Sequence, residues 1–439
     1  MRKWLALVTL AILAATVLTL CLDRRPTAIV RAPLNPEEVQ PGPGPRDFAA
    51  ELGAAELSLQ QWQARLDRDP GDWLHLEGVA LSLAARFRLN GDYADLADAD
   101  RLLDEAMAIP PWPAGPVMSR AAISLTVHRL DEAEAALKRF EASAVPPGPD
   151  EREAVASLRC EIALQRGLPR AAGKICGTSE DPGLRMRQAN IAAKMGRFDE
   201  AERVLEDLLR PPRQSPHRLA VLCLQRASVA LARGDLKAAG IWSRAADRMF
   251  AGYWLAEAFV AQQFALEGKL DEASRRYRDL VETTGNPDVI DAYATVLLAN
   301  GRKAEARLWI ARSRRAWEER MRLLPQAAAT HFAEHLFEFG DARAALDQAA
   351  REFQRRPTST SAANYAAILV ALGDPEKGLK VLMETESRGW NTARMKFEAA
   401  GALKALGRRQ DAAVALKSAQ ALNPLVADLR QRFISFDQD

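Results

Sequence analysis

One short pattern recurs along most of this chain and restricts its fold more than any other feature. Gly196-Arg-Phe-Asp-Glu-Ala201 is followed by Gly234-Asp-Leu-Lys-Ala-Ala239, Gly268-Lys-Leu-Asp-Glu-Ala273 and Gly301-Arg-Lys-Ala-Glu-Ala306. Further on come Gly340-Asp-Ala-Arg-Ala-Ala345, Gly373-Asp-Pro-Glu-Lys-Gly378 and Gly407-Arg-Arg-Gln-Asp-Ala412. Looser copies end at Ala99, Ala133 and Ala172, and the intervals between closing residues run 34, 39, 29, 38, 34, 33, 39, 33 and 34. A unit of that length cannot bury a hydrophobic face alone, so neighbouring copies must stack. A chain of 439 residues is too long for one compact core, and this period favours an extended array over about three globular domains.

Each unit reads as two helices. Leu270, Ala273, Tyr277, Leu280 and Val281 lie at offsets of 3, 7, 10 and 11, on one helical face. Upstream, Trp254, Ala258, Ala261 and Ala265 make a second apolar stripe, and Glu267-Gly268-Lys269 breaks the chain between them. A glycine there takes the left-handed conformation that ends one helix and lets the next begin at once. Asn90-Gly91 and Asn300-Gly301 are read as helix stops rather than hairpin turns, because their flanks are helical in period and do not alternate.

The period near 34 residues and the G-x-x-x-E-A turn resemble the tetratricopeptide repeat (TPR) family. In such a unit the Gly makes the turn and the Ala lets the second helix approach the first. An apolar residue four positions later (Leu205, Tyr277, Leu416) fills the pocket, and a Pro closes the unit, as Pro357 and Pro424 do. The resemblance covers Asp72 to Pro424 and implies an all-α fold: a right-handed α-solenoid superhelix of about ten antiparallel helix pairs. Residues 48–71 and 425–439 are expected to be capping helices that shield its ends, around Phe48 to Leu66 and Val426 to Phe433. Three departures stand out. Pro169 sits in the short Ala172 repeat, Gly378 replaces the expected Ala, and the 39-residue intervals call for longer helices or loops. Pro146-Pro147-Gly148-Pro149 is a candidate break between subdomains.

The amino terminus carries a different signal. Arg2 and Lys3 precede an uncharged run from Trp4 to Leu22, followed by Asp23, Arg24 and Arg25. Nineteen helical residues span about 28 Å, near the hydrocarbon thickness of a bilayer. Residues 1–22 are therefore expected to form a single-pass membrane anchor, with a cleaved signal sequence as the alternative. That expectation places the protein at a membrane with an extracytoplasmic body. Residues 23–47, rich in Pro and Gly, read as a tether.

Composition excludes several classes of function. Sixty Lys+Arg against 58 Asp+Glu leave a formal net charge of +2, and no basic stripe suited to nucleic acid emerges. Four Cys in the chain are too few for a disulfide scaffold or a multi-Cys zinc fold. No glycine-rich phosphate loop, Walker loop or nucleophile elbow occurs, so neither a cofactor nor a catalytic residue is expected. His331-Phe-Ala-Glu334-His335 does match H-x-x-E-H, the inverted zinc-peptidase motif, with both imidazoles one turn apart and Glu334 as general base. It lies on the first helix of a repeat whose register is intact, so the helix already has a packing role, and the peptidase is the alternative reading.

Cys160 falls at the close-approach position of a first helix and Cys176 at the pocket position of its partner. Those positions normally touch, so a disulfide fits if the body is exported; the bland reading is two small buried hydrophobes. Cys223 has no evident mate.

Repeat arrays bind along a concave surface lined by first helices. Some TPR members clamp a partner's terminal carboxylate with Lys, Arg and Asn from consecutive first helices. Here Arg187, Asn190 and Lys194 share one face of a first helix, at offsets of 3 and 7. The next two first helices offer Gln225 and Ser228, then Phe259 and Gln262, so the full clamp is absent. Glu334 and Phe337 mark a second stretch of the groove. The resemblance thus implies a non-enzymatic scaffold for protein or peptide partners, akin to membrane-anchored bacterial TPR proteins that assist envelope assembly. A purely structural spacer is the third reading.

Overall fold

The computed structural model describes residues 34–110, 114–177, 179–210 and 214–436. Among these residues there are 21 α-helices, and the only β-type pairing is an isolated bridge between Asp47 and Ala251. A leading helix α1 (Phe48–Arg68) precedes ten antiparallel pairs. The first five are α2 (Trp73–Asn90) with α3 (Tyr93–Ala108), α4 (Val117–Thr126) with α5 (Leu130–Glu141), α6 (Pro149–Gln165) with α7 (Pro169–Cys176), α8 (Pro182–Lys194) with α9 (Phe198–Leu209), and α10 (Pro216–Arg233) with α11 (Leu236–Met249). The last five are α12 (Trp254–Leu266) with α13 (Leu270–Thr284), α14 (Pro287–Ala299) with α15 (Lys303–Leu323), α16 (Pro325–Glu338) with α17 (Ala342–Arg355), α18 (Ser359–Ala371) with α19 (Pro375–Ser387), and α20 (Ala393–Ala405) with α21 (Arg409–Leu422). The fold is an α-solenoid of helix pairs.

The pair α12–α13 shows how the sequence makes the unit. Gly268 takes φ 77°, which ends α12, and α13 starts two residues later. Ala273 is fully buried, and Tyr277, Leu280 and Val281 retain 3% exposure or less, so the stripe read from their spacing faces α12. Burial of a Leu or Val side chain contributes roughly 1.5–3 kcal/mol. The irregular repeats have physical reasons. Pro169 occupies the first turn of α7, where its missing N–H is not needed. A Cβ on Gly378 would lie 3.1 Å from the Ala366 carbonyl oxygen, so Ala there would require α18 to give by a few tenths of an ångström. The interval from Ala306 to Ala345 is long because α15 runs for 21 residues. Pro149 opens α6, and all ten pairs belong to one compact unit, so the chain does not break at Pro146–Pro149.

Three expectations change. The single-pass anchor is corrected: no helix among the described residues is long and apolar enough to cross a membrane, and Trp4 to Leu22 lie outside those residues. The tether is not a free spacer over residues 36–47. Pro36 and Val39 are buried, and Gly42 N–H donates to the Gln214 carbonyl at 2.7 Å. After α21 the chain forms no further α-helix among the described residues; Leu429–Phe433 is a 3-10 helix followed by extended chain.

The solenoid also returns on itself. Trp254 Nε1–H donates to the Leu89 carbonyl at 2.8 Å, and Tyr93 Oη–H donates to the Ala327 carbonyl at 3.4 Å. Arg356 lies 3.1 Å from His128 Nδ1, and Trp390 Nε1–H donates to the Gly167 carbonyl at 3.3 Å. Asn391 N–H donates to Lys194 and Asn423 Nδ2–H to Leu231. These contacts join residues 165 to 234 apart, about five to seven repeats. In each, the turn inside an earlier pair meets the junction between later pairs or, at Asn423, the end of the last pair. The apolar core is shared across this seam: Cys160, Cys176 and Leu184 pack in one cluster with Ala363, Leu382, Trp390 and Met395. An open array in which each pair touches only its neighbours is therefore not what forms.

Candidate functional site

The first helices of the last four pairs place polar side chains in one continuous ladder. Arg394 on α20 donates from Nη2 to Asn364 Oδ1 on α18 at 2.5 Å. Asn364 Nδ2 donates to Glu334 Oε1 on α16 at 2.6 Å. The other Glu334 oxygen lies 3.4 Å from His331 Nδ1, which is 3.6 Å from Asp288 on α14. Arg320, from α15, closes the row 3.0 Å from Asp288. Glu334, Asn364 and Arg394 are 30 residues apart, a few short of the repeat step there, so each rung sits about one turn nearer the start of its first helix and the ladder runs obliquely across α16, α18 and α20.

Electrostatics fixes its charge state. Burial favours neutral His331, but Asp288 and Glu334 outweigh it and raise the imidazolium to about 9. Burial likewise pushes Glu334 up, yet its bond to His331, with Arg394 and Asn364, brings it down to about 2. The His331 side chain is 50% exposed. Arg394 is 52% exposed. One turn further, burial with Asp291 and Glu334 nearby raises Glu338 to about 7, despite its bond from Thr295. The face therefore presents two accessible cations, an amide already bonded on both sides, and a carboxyl that titrates near neutrality.

This arrangement does not make a zinc site of His331 and His335. His335 is buried between Phe332 and Phe339, with Nδ1 2.9 Å from Asp291 Oδ1. His331 stacks on Trp317 with ring centroids 5.8 Å apart. Glu334, held as a carboxylate far below neutrality, is poorly matched to general-base work at pH 7. Among the described residues the only converging trio of possible metal ligands is Asp69, Asp72 and His75, where Asp72 already caps α2 through Leu74 N–H.

The other residues singled out from the sequence go elsewhere. Arg187 donates to Ser157 Oγ at 2.9 Å and pairs with Glu161, both on the preceding first helix α6. Asn190 is half-buried on the same helix, and the carbonyl of Lys194 receives Asn391 N–H at 3.0 Å. Phe337 packs against the core formed around Trp317, Phe332 and Leu336. Gln262 is buried and bonded to Ser435 and Phe436 of its own chain. Cys160 and Cys176 are joined in a disulfide with Cα atoms 5.6 Å apart. Cys223 is buried, and burial lifts its thiol to about 12, which makes it inert. Asn364 and Arg394 were not singled out from the sequence; each lies about one turn earlier in its first helix than the rung before it, so no shared repeat register marks them.

No family profile matches the chain, and no curated protein sequence matches it. Among solved structures it is similar to the TPR domain of P58(IPK), with 17% identity over 88% of this chain and 93% of that one and a TM-score of 0.28. It is also similar to the APC/C hetero-tetramer Cut9-Hcn1, with 15% identity over 89% of this chain and 84% of that one and a TM-score of 0.39. Both likenesses are distant, and the architecture rests on the helix pairs themselves. Ten consecutive pairs, each turning on a left-handed residue and a close-packed small one, make this a helical repeat protein, an α-solenoid of helix pairs.

Proposed function

We propose that the protein is a non-enzymatic scaffold that receives an extended segment of a protein partner on the face built by α14, α16, α18 and α20. The observation that carries this reading is the Arg394–Asn364–Glu334–His331 ladder, which spans consecutive first helices and keeps an accessible cation at each end. A guanidinium can take a partner's carboxylate through two parallel hydrogen bonds. Because the side chains are already bonded to one another, little further ordering is lost when a ligand arrives.

The test is site-specific photo-crosslinking, with the photoreactive residue placed at Glu398, one turn after Arg394 on α20, or at Leu308, which is 73% exposed on α15. A partner that uses the ladder crosslinks from the first position, and Arg394→Glu abolishes that product while helicity is retained. Equal products from both positions, or products unaffected by Arg394→Glu, would overturn the assignment.

A further inference from the structure

Gln262 is a buried amide in α12, a helix that is apolar apart from Glu257, Gln262 and Gln263. It is 1% exposed, and a buried amide is unfavourable unless its polar atoms are bonded. Its Oε1 accepts the main-chain N–H groups of Ser435 at 2.7 Å and Phe436 at 2.9 Å. Its Nε2 reaches back to the Phe436 carbonyl at 3.5 Å. The amide therefore reads backbone and is indifferent to the side chains of the segment it holds. Selectivity comes from the adjoining aromatic pocket, where the Phe436 ring lies 6.2 Å from Phe259 and 6.5 Å from Tyr277. Arg430 adds an upstream anchor, its guanidinium 3.4 Å from the Leu266 carbonyl.

We infer that this cleft is a binding site for an extended peptide bearing an aromatic residue, and that residues 429–436 occupy it as a displaceable internal ligand. The segment differs from every other element of the seam. Elsewhere the returning chain is held by helix pairs with cores of their own. Residues 429–436 have only a 3-10 turn and extended chain, so Phe433, Phe436, the Arg430 bond to Leu266 and the Gln262 bonds are what hold them. Polar recognition by one side chain and one aromatic anchor is the chemistry of a peptide site. Covalent attachment presents the segment at an effective concentration on the order of millimolar, so a free peptide competes well only when the internal one is weakened. The 3-10 turn of the segment also packs against α14, but its bonds to Gln262 and Leu266 involve no ladder residue, and the inference does not depend on the function proposed for the ladder.

The experiment uses the full chain and a fluorescein-labelled peptide with the sequence of residues 429–436. By anisotropy, the Phe436→Ala protein should bind this peptide at least tenfold more tightly than the unaltered protein does. Adding Gln262→Leu to that variant should remove the gain. If Phe436→Ala keeps its helicity and binds no better, or if Gln262→Leu changes nothing, the cleft is a structural contact and the proposal fails. Loss of folding in Phe436→Ala also overturns it, because a displaceable ligand is not required by the fold. Amide exchange in the unaltered chain supplies a check without mutation. The Ser435 and Phe436 amides should exchange by local opening and be slowed by no more than the segment's own release; exchange only through global unfolding, in step with α12, contradicts the inference.

Discussion

The turns inside the early pairs and those inside the late pairs have the same sequence pattern and different surroundings. A Cβ placed on Gly167 would meet the Pro357 carbonyl oxygen at 2.4 Å, one on Gly196 would meet Asn391 at 2.8 Å, and one on Gly234 would meet Asn423 at 2.4 Å. At Gly301, Gly340, Gly373 and Gly407 nothing lies within 4 Å. The early turns are covered by the chain as it comes round again, whereas the late turns have no further coil to cover them among the described residues. A repeat motif specifies its own turn; how many contacts that turn makes is set by where it falls in the coil.

The largest expected effect tests whether the two coils share one core. Trp390 is 2% exposed, packs with Cys160 and Cys176, and donates to the Gly167 carbonyl. Trp390→Ala should cost about 3–5 kcal/mol, the usual range for emptying a buried aromatic site. Hydrogen exchange should rise in α6–α8 as well as in α19 and α20. Trp309, half-buried on α15 against Tyr293, has no partner of this kind in the earlier coil, and its Ala variant should disturb only α14–α16. Exchange confined to α18–α21 in Trp390→Ala would show that the seam does not couple the coils.

A smaller effect separates the covered turns from the open ones directly. Gly234 and Gly373 have φ of 84° and 89°, so Ala at either position incurs about 1–2 kcal/mol of left-handed strain. Only Gly234→Ala also drives a methyl into Asn423, an overpacking that typically adds about 1–3 kcal/mol. Chemical denaturation of the two variants should therefore differ by that second amount. Equal losses would mean that Asn423 and Pro424 yield without resistance.

Much of the array was legible because its cause is local. Gly268 and Ala273 mark a turn and a close approach, and residues at offsets of 3, 7, 10 and 11 identify the buried face of α13 without tertiary information. The seam was not legible, because coil closure depends on a small rotation per pair summed over about six pairs, and no single residue encodes it. Asn391 and Asn423 look like ordinary loop residues until their partners, Lys194 and Leu231, arrive from another coil. The same blindness affected the site. Arg187, Asn190 and Lys194 do share a helix face, but helical spacing is silent about Glu161 on the preceding first helix, which takes the Arg187 charge. Gln262 was recognisable as a polar group on a first helix; that its ligand is the chain's own Phe436 was not.

The smallest effect is a pH dependence of opposite sign in the two settings. His128 stands at a covered turn, with φ 63°, and burial followed by Arg356 holds its pKa well below 6.5. His331, on the open ladder, is raised to about 9 by Asp288 and Glu334 against its burial. Stability follows the difference in protons bound by the unfolded and folded chain. For His128 the unfolded chain binds more protons, so its contribution is complete above about 6.5 and is lost as pH falls through the depressed folded value. For His331 the folded chain binds more, so its contribution is complete below about 6.5 and is lost as pH rises through about 9. The charged neighbours are Arg355, Arg356 and His331 around His128, and Asp288, Glu334 and Arg320 around His331. Half of the His331 side chain remains accessible to water, so its arm is the weaker. Thermal melts of His128→Gln and His331→Gln across pH 5 to 10 resolve the two. The first should flatten the acid side of the stability profile and the second the alkaline side; if either substitution flattens both sides equally, the seam and the ladder titrate as one unit and the distinction between covered and open regions fails.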